Sequence, residues 1–435
     1  MSDFIEQIKH KYQQEQKNMP PALQHFTGEG AAQLASMGIP TVKHEEWKYT
    51  RIGGVLNKSF DFSSSTSALT KQDLEAFRLP GADQASELVF VNGIYQPQLS
   101  KLLSTADELD LLPLREAAEG KYAEVVAKHL GHSAGYLKDG INALNNAFAH
   151  LGIFICVKRN KALQHPLYFY YINDARQAHV LAQPRLLMHV EANAKVYMVE
   201  EAVSLGTTDC FTNKVAEIVV EENAVVDYIK IQNEASHSSR AATTHIRQVG
   251  VSKVNSVTLT LNGGMVRNNL NIVMEAPGCE SHMYGLYCIK GTTHVDNHTI
   301  VDNVKPHCYS NELYKGIMDE QSTGVFNGKI FVRQEAQKTN AYQSNKNVLL
   351  SDTASVNTKP QLEIFADDVK CSHGCTVGRL DDEALFYLRA RGVGEKAARA
   401  LLLHAFAVEI LEKIELEPIR TYADQIISDR LGFEL

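Results

Sequence analysis

Val325-Phe326-Asn327-Gly328-Lys329-Ile330-Phe331-Val332-Arg333 is a two-faced run. In an extended strand Phe326, Ile330 and Val332 fall on one side, and Asn327, Lys329 and Arg333 on the other. Similar runs span Val225 to Gln232 and Ser256 to Leu261, within a zone from 152 to 378 where helical periodicity fades. Between runs stand turn clusters: Glu221-Glu222-Asn223-Ala224, Ala276-Pro277-Gly278, Lys305-Pro306-His307, Glu335-Ala336-Gln337 and Ser351-Asp352-Thr353-Ala354. They recur roughly every 18–30 residues, close to the period of stacked β-coils. A long zone of one-sided strands with hardly any helix points to a parallel β-helix. A β-sandwich is the alternative, with shorter loops and clearer hairpins expected.

The flanks differ in texture. Residues 1–151 mix helices with short strands, as an α/β domain. Phe4 to Gln16 reads as a polar-faced helix, and Ala31 to Met37 as another, stopped by Gly38 and Pro40. Ser63 to Ser67 is a Ser/Thr-rich loop. Leu88 to Val91 and Ile94-Tyr95 flank Asn92-Gly93, a type I′ hairpin signal. Residues 379–435 are helical. Asp381-Asp382-Glu383 opens a helix bearing Leu385, Phe386 and Leu388, broken at Gly392 and Gly394; a second runs from Glu395 to about Glu415, a third from Pro418 to Leu431. This bundle either caps the open end of the solenoid or offers an apolar groove to another protein.

At 435 residues, 44% hydrophobic and 22% charged, the composition is that of a globular protein. A net charge of −8 gives no general attraction to nucleic acid or to an anionic membrane. The first residues lack a signal-peptide pattern, and no stretch nears ~20 apolar residues. Seven cysteines, mostly scattered, fit reduced thiols in the cytoplasm.

Cys371-Ser372-His373-Gly374-Cys375 places three metal ligands at i, i+2 and i+4, on one face of a strand. Three is one short of a closed tetrahedral set, implying an open position or a ligand from a partner. Two buried thiols and a core histidine are the structural alternative. His294, Asp296 and His298 repeat the spacing; a divalent metal site competes there with a polar ladder in which Asp296 accepts from the histidines, and the ladder is favoured. Gly324 to Ile330 is one residue short of a phosphate loop and lacks Ser/Thr after Lys329; Gly392-Val393-Gly394 sits between helices, not after a strand. Trp47 reads as an aromatic anchor rather than a ligand platform.

In order along the chain, Glu45-Glu46-Trp47-Lys48-Tyr49-Thr50, His294-Val295-Asp296-Asn297-His298, Glu312-Leu313-Tyr314-Lys315-Gly316, Gly324 to Ile330, Asn357 to Ile364 running into Asp367 to Gly374, and Leu385 to Gly392 resemble the SufB/SufD family of iron–sulfur cluster assembly proteins. The resemblance spans essentially the whole chain. It implies a right-handed parallel β-helix core between an N-terminal domain and a C-terminal helical domain. It further implies a heterodimer with the SufB paralogue through the β-helix ends, and docking of the SufC ATPase on the helical domain, so that ATP enters only through that partner. A homodimer is an option for the chain alone. A histidine facing a partner cysteine, at a transient shared iron–sulfur cluster, matches His373, with Cys371 beside it. Family members commonly carry a small non-thiol residue where this chain has Cys375. These implications describe a scaffold, not an enzyme. The rivals are a solenoid lyase or acyltransferase, whose clustered carboxylates or hexapeptide repeats are not visible, and an autonomous zinc protein, which would purify with metal when alone.

Overall fold

The computed structural model describes residues 2–17, 19–62 and 69–432, and the Ser63 to Ser67 loop lies outside them. The central chain alternates between two sheets. The first ends in strands Val225–Asn233, Lys253–Asn262, Glu280–Ile289, Tyr309–Met318, Asn340–Leu349 and Lys370–Gly378. The second ends in Cys210–Val220, Ser238–Gln248, Met265–Met274, His294–Asn303, Thr323–Val332 and Ser355–Ile364. Neighbours are parallel: Val225 pairs with Lys253, Lys253 with Glu280, Glu280 with Tyr309, Tyr309 with Asn340 and Asn340 with Lys370. Each coil thus takes about thirty residues and contributes one strand per sheet. This is a parallel β-solenoid of about eight turns, not a sandwich. The turn clusters supply its corners, with Asn223, Gly278 and His307 at φ 55°, 77° and 62°.

N-terminal strands extend the same sheets. Ser86–Val91 forms the expected hairpin with Ile94–Tyr95, with Asn92 and Gly93 at positive φ, and also pairs in parallel with Leu167–Ala175. The second helix begins earlier than its sequence pattern suggests, at Pro21, and runs to Met37. Gly28 and Gly30 weaken the helical signal there. Gly30 is needed because a Cβ would stand 2.7 Å from the Ala147 backbone nitrogen, in the crossing helix Gly140–Ala147.

The C-terminal helices are Asp382–Ala390, Glu395–Leu411 and Glu417–Leu431, the second ending short of Glu415. The last two lie along the solenoid rather than across its end. Leu403, Ala407, Ile410, Ile419 and Ile427 pack with Ile229, Val257 and Leu286 on the outer face of the first sheet. Lys315 fixes the register, donating to the Phe406 carbonyl at 2.7 Å and pairing with Glu409 at 2.5 Å.

The outer face of the second sheet holds residues 45–50. Trp47 is 1% exposed; its indole donates to Asp139 at 3.0 Å, and the Arg267 guanidinium lies 4.0 Å from its ring centroid. Arg267 also donates to Asp296 and to the Glu46 carbonyl, each at 2.7 Å. The Glu46 carboxylate meets His298 at 3.4 Å and Lys329 at 2.5 Å, and Glu45 meets Lys359 at 2.5 Å. Six separated stretches of sequence thereby converge on one patch.

Arg267→Ala strands the buried Asp296 carboxylate and is expected to destabilise the protein by about 3–5 kcal/mol, read from urea unfolding. His298 and Lys329 hold the Glu46 carboxyl down from 4.5 to about 2. A depressed carboxyl stabilises above its unfolded pKa and loses that contribution as pH falls through its folded value. Fluorescence of Trp47, the single tryptophan, is expected to report loosening of this segment as pH falls from 4.5 to about 2, with the transition blunted in Glu46→Gln. An identical acid profile in that variant would assign the anchoring to other contacts.

Candidate functional site

Paired residues on neighbouring parallel strands point the same way. Along Asn340–Leu349 the side chains of Ala341, Gln343, Asn345 and Asn347 are buried in the lumen. Register places Cys371, His373, Cys375 and Val377 over them. The three side chains therefore share the lumen-facing side of Lys370–Gly378. Yet His373 and Cys375 are exposed and Cys371 is half-buried. The cause is position: Lys370–Gly378 and Ser355–Ile364 are the terminal strands of their sheets, with no further coil above them among the described residues. A Cβ at Gly374 would meet no atom within 4 Å.

The row does not converge as a three-ligand set. Same-face side chains on a strand stand about 6.5–7 Å apart, and among the described residues this row is not one of the His/Cys/Asp/Glu groups whose donor atoms gather within 4.8 Å. It is a file of donors along an open rim. Burial raises the Cys371 thiol, whose side chain packs on the lumen core.

Beneath the rim the largely apolar lumen also carries buried polar columns, which reading single strands did not reveal. His373 tops a column of Met283, Glu312 and Gln343. Gln343 donates to Glu312 at 2.7 Å, and burial pushes the Glu312 carboxyl up to about 7. Cys375 tops Tyr314 and Asn345, and the Asn345 amide donates to the Tyr287 hydroxyl at 3.0 Å. Gly328 faces the lumen as well: a Cβ there would stand 2.4 Å from the Gln343 amide. The glycines of the Gly324 to Ile330 segment thus make room inside a strand. Deeper still, Lys214 is bonded to Glu200 and Arg240 to Glu234, all fully buried. The signal for such columns is polar residues recurring at the coil period of about thirty.

The second row, His294, Asp296 and His298, lies on the outer face of the second sheet beneath residues 45–50. Thr50 bonds to Asp296 and lies 2.9 Å from His294 Nε2. His298 Nε2 lies 3.0 Å from Asp296. Against the penalty of burial, His298 and Arg267 hold the Asp296 carboxyl well below the usual carboxylate range. Burial lowers His294. The three side chains are brought together, each with partners from the protein itself.

Two family descriptions match the chain: "SUF system FeS cluster assembly, SufBD core domain" over residues 170–406, and "SufBD protein N-terminal region" over residues 1–169. The chain is 32% identical to the iron–sulfur cluster assembly protein SufD of Escherichia coli, over 99% of this chain and 97% of that one. It is 35% identical to a SufBD family iron–sulfur cluster assembly protein of Synechocystis, over 92% and 90% of the two chains. A chloroplastic protein of Arabidopsis thaliana, ABCI7, is 32% identical over 62% of this chain and 58% of its own.

Five cysteines, Cys156, Cys210, Cys279, Cys288 and Cys308, are buried, whereas Cys375 is exposed and Cys371 half-buried. Native-state alkylation read by mass spectrometry is expected to modify Cys375 first, Cys371 more slowly, and the other five only on unfolding. Equal labelling of all seven would contradict the burial described.

Proposed function

The chain belongs to the SufBD family of iron–sulfur cluster assembly proteins and is SufD-like, and on that footing we propose that it is a non-catalytic scaffold of the cytoplasmic Suf machinery. A lumen-facing file of ligands left exposed at an uncapped coil is the observation that carries this reading. The unpaired edges of Ser355–Ile364 and Lys370–Gly378 meet the corresponding end of the SufB paralogue, strand beside strand. There His373, with Cys371 beside it, faces a partner thiolate, and the nascent cluster is cargo shared between two chains. Thiolates are the usual ligands of such clusters, and imidazole substitutes on an iron. Cys375 is a further donor on the same face. His294, Asp296 and His298 serve the fold.

The SufC ATPase docks on the C-terminal helices. Phe386 and Tyr387 support this, being 73% and 58% exposed on Asp382–Ala390. ATP acts through that partner alone. Without SufB, the same strand edges pair two copies of this chain.

Co-expression with SufB and SufC, anaerobic purification and assay of iron and sulfide test the proposal. The three chains are expected to co-purify, with iron and sulfide falling several-fold in His373→Ala while assembly persists. Failure to assemble, or equal iron and sulfide in both complexes, would overturn it.

A further inference from the structure

Far from the open rim, Cys156, His189 and Glu191 bring one ligand atom each to within 4.8 Å of one another. Cys156 lies on Ile153–Val157 and His189 on Arg185–Val190, and the two are register partners on adjacent parallel strands. Glu191 follows immediately, its backbone N–H bonded to Val157. Metal–ligand bonds of about 2.0–2.3 Å put tetrahedral ligands about 3.5 Å apart, so these donors need only a small closure.

A buried thiol in a core is by itself unremarkable in function. Two observations on His189 separate this group from that reading. Its Nε2 is 2.9 Å from the Glu221 carboxylate, whose other oxygen accepts from the Ala192 backbone at 3.1 Å. A carboxylate behind an imidazole is the support that orients a metal-ligating histidine and leaves the opposite nitrogen with its lone pair. That opposite nitrogen, Nδ1, is buried with no hydrogen-bond partner, on a residue only 6% exposed. A buried polar atom without a partner is costly, and a ligand would satisfy it. Glu191 is the half-buried member. One of its oxygens accepts from the Arg159 backbone at 2.8 Å.

We propose that Cys156, His189 and Glu191 form a zinc site, separate from the row at the rim. One thiolate, one imidazole and one carboxylate suit Zn²⁺ rather than Mg²⁺ or Ca²⁺, which prefer all-oxygen shells. Solvent on the Glu191 side completes the fourth position. On binding, the Cys156 proton leaves to solvent and the sulfur becomes the thiolate ligand. The ion ties two neighbouring strands to the turn that follows them, stiffening the N-terminal part of the solenoid. This assignment is independent of the scaffold proposal, since it concerns different residues and needs no partner.

The test is titration of the reduced, chelator-stripped full chain with Co²⁺, followed by displacement with Zn²⁺. One ion per chain is expected, with thiolate-to-cobalt charge-transfer absorption that Zn²⁺ abolishes. Cys156→Ser is expected to remove that absorption, and a Cys371→Ser/Cys375→Ser double variant to keep it. Glu221→Gln should weaken binding about 10–100-fold. Should Cys156→Ser fail to fold, Glu191→Gln at the half-buried position carries the test, with binding weakened at least tenfold. Absence of saturable binding, absorption surviving in Cys156→Ser, loss in the double variant, or unchanged affinity in Glu191→Gln would each overturn the assignment.

Discussion

Everything in this molecule follows from one constraint: each coil must set its side chains directly over those of the coil before. Parallel pairing in register turns every lumen-facing position into one entry of a column, and a column tolerates a large residue only where its neighbours yield. Tyr314 and Tyr287 fit because Gly285 and Gly316 stand beside them, where an added Cβ would come within 2.2 and 2.3 Å of the rings. Polar residues survive inside for the same reason. Gln232, Asn268 and Asn297 bond to one another across coils, so their burial is compensated along the solenoid axis.

The two sheets also have outer faces, and each is covered differently. The first is dressed with aliphatic side chains of the C-terminal helices. The second carries an ionic and aromatic fastening in which Arg267 serves Trp47, Glu46 and Asp296 at once. Charge that is costly to bury singly is tolerated there because each group has a partner of opposite sign. With both faces covered, the terminal coil is left as the surface where lumen chemistry reaches solvent.

Strand alternation at Val325 to Arg333 and the corner clusters made the solenoid legible before any coordinates, because period two and turn chemistry are local properties. The common face of Cys371, His373 and Cys375 was legible for the same reason. Their failure to converge also follows from strand spacing, since same-face side chains two residues apart stand too far from one another to share one ion. The start of the helix at Pro21 was hidden because Gly30 answers to a crossing helix, not to its own. The apolar stripes of the last two helices announced that something covers them, without saying whether it is an end or a face. Cys156 and His189, thirty-three positions apart, become neighbours only once the coil length is known. No motif of adjacent residues carries that information.

The asymmetry of the two ends has a consequence for stoichiometry. At the end where the sheets begin, Ile94–Tyr95 and Leu109–Pro113 run antiparallel to the strands they pair with, so they offer no template for another parallel coil. A parallel edge continuing the direction of the coils is therefore offered at one end only. A solenoid with two competent ends would add copies head to tail into a fibre, since such contacts never close. With a single end of that kind, a chain docked there would leave no second parallel edge for further growth.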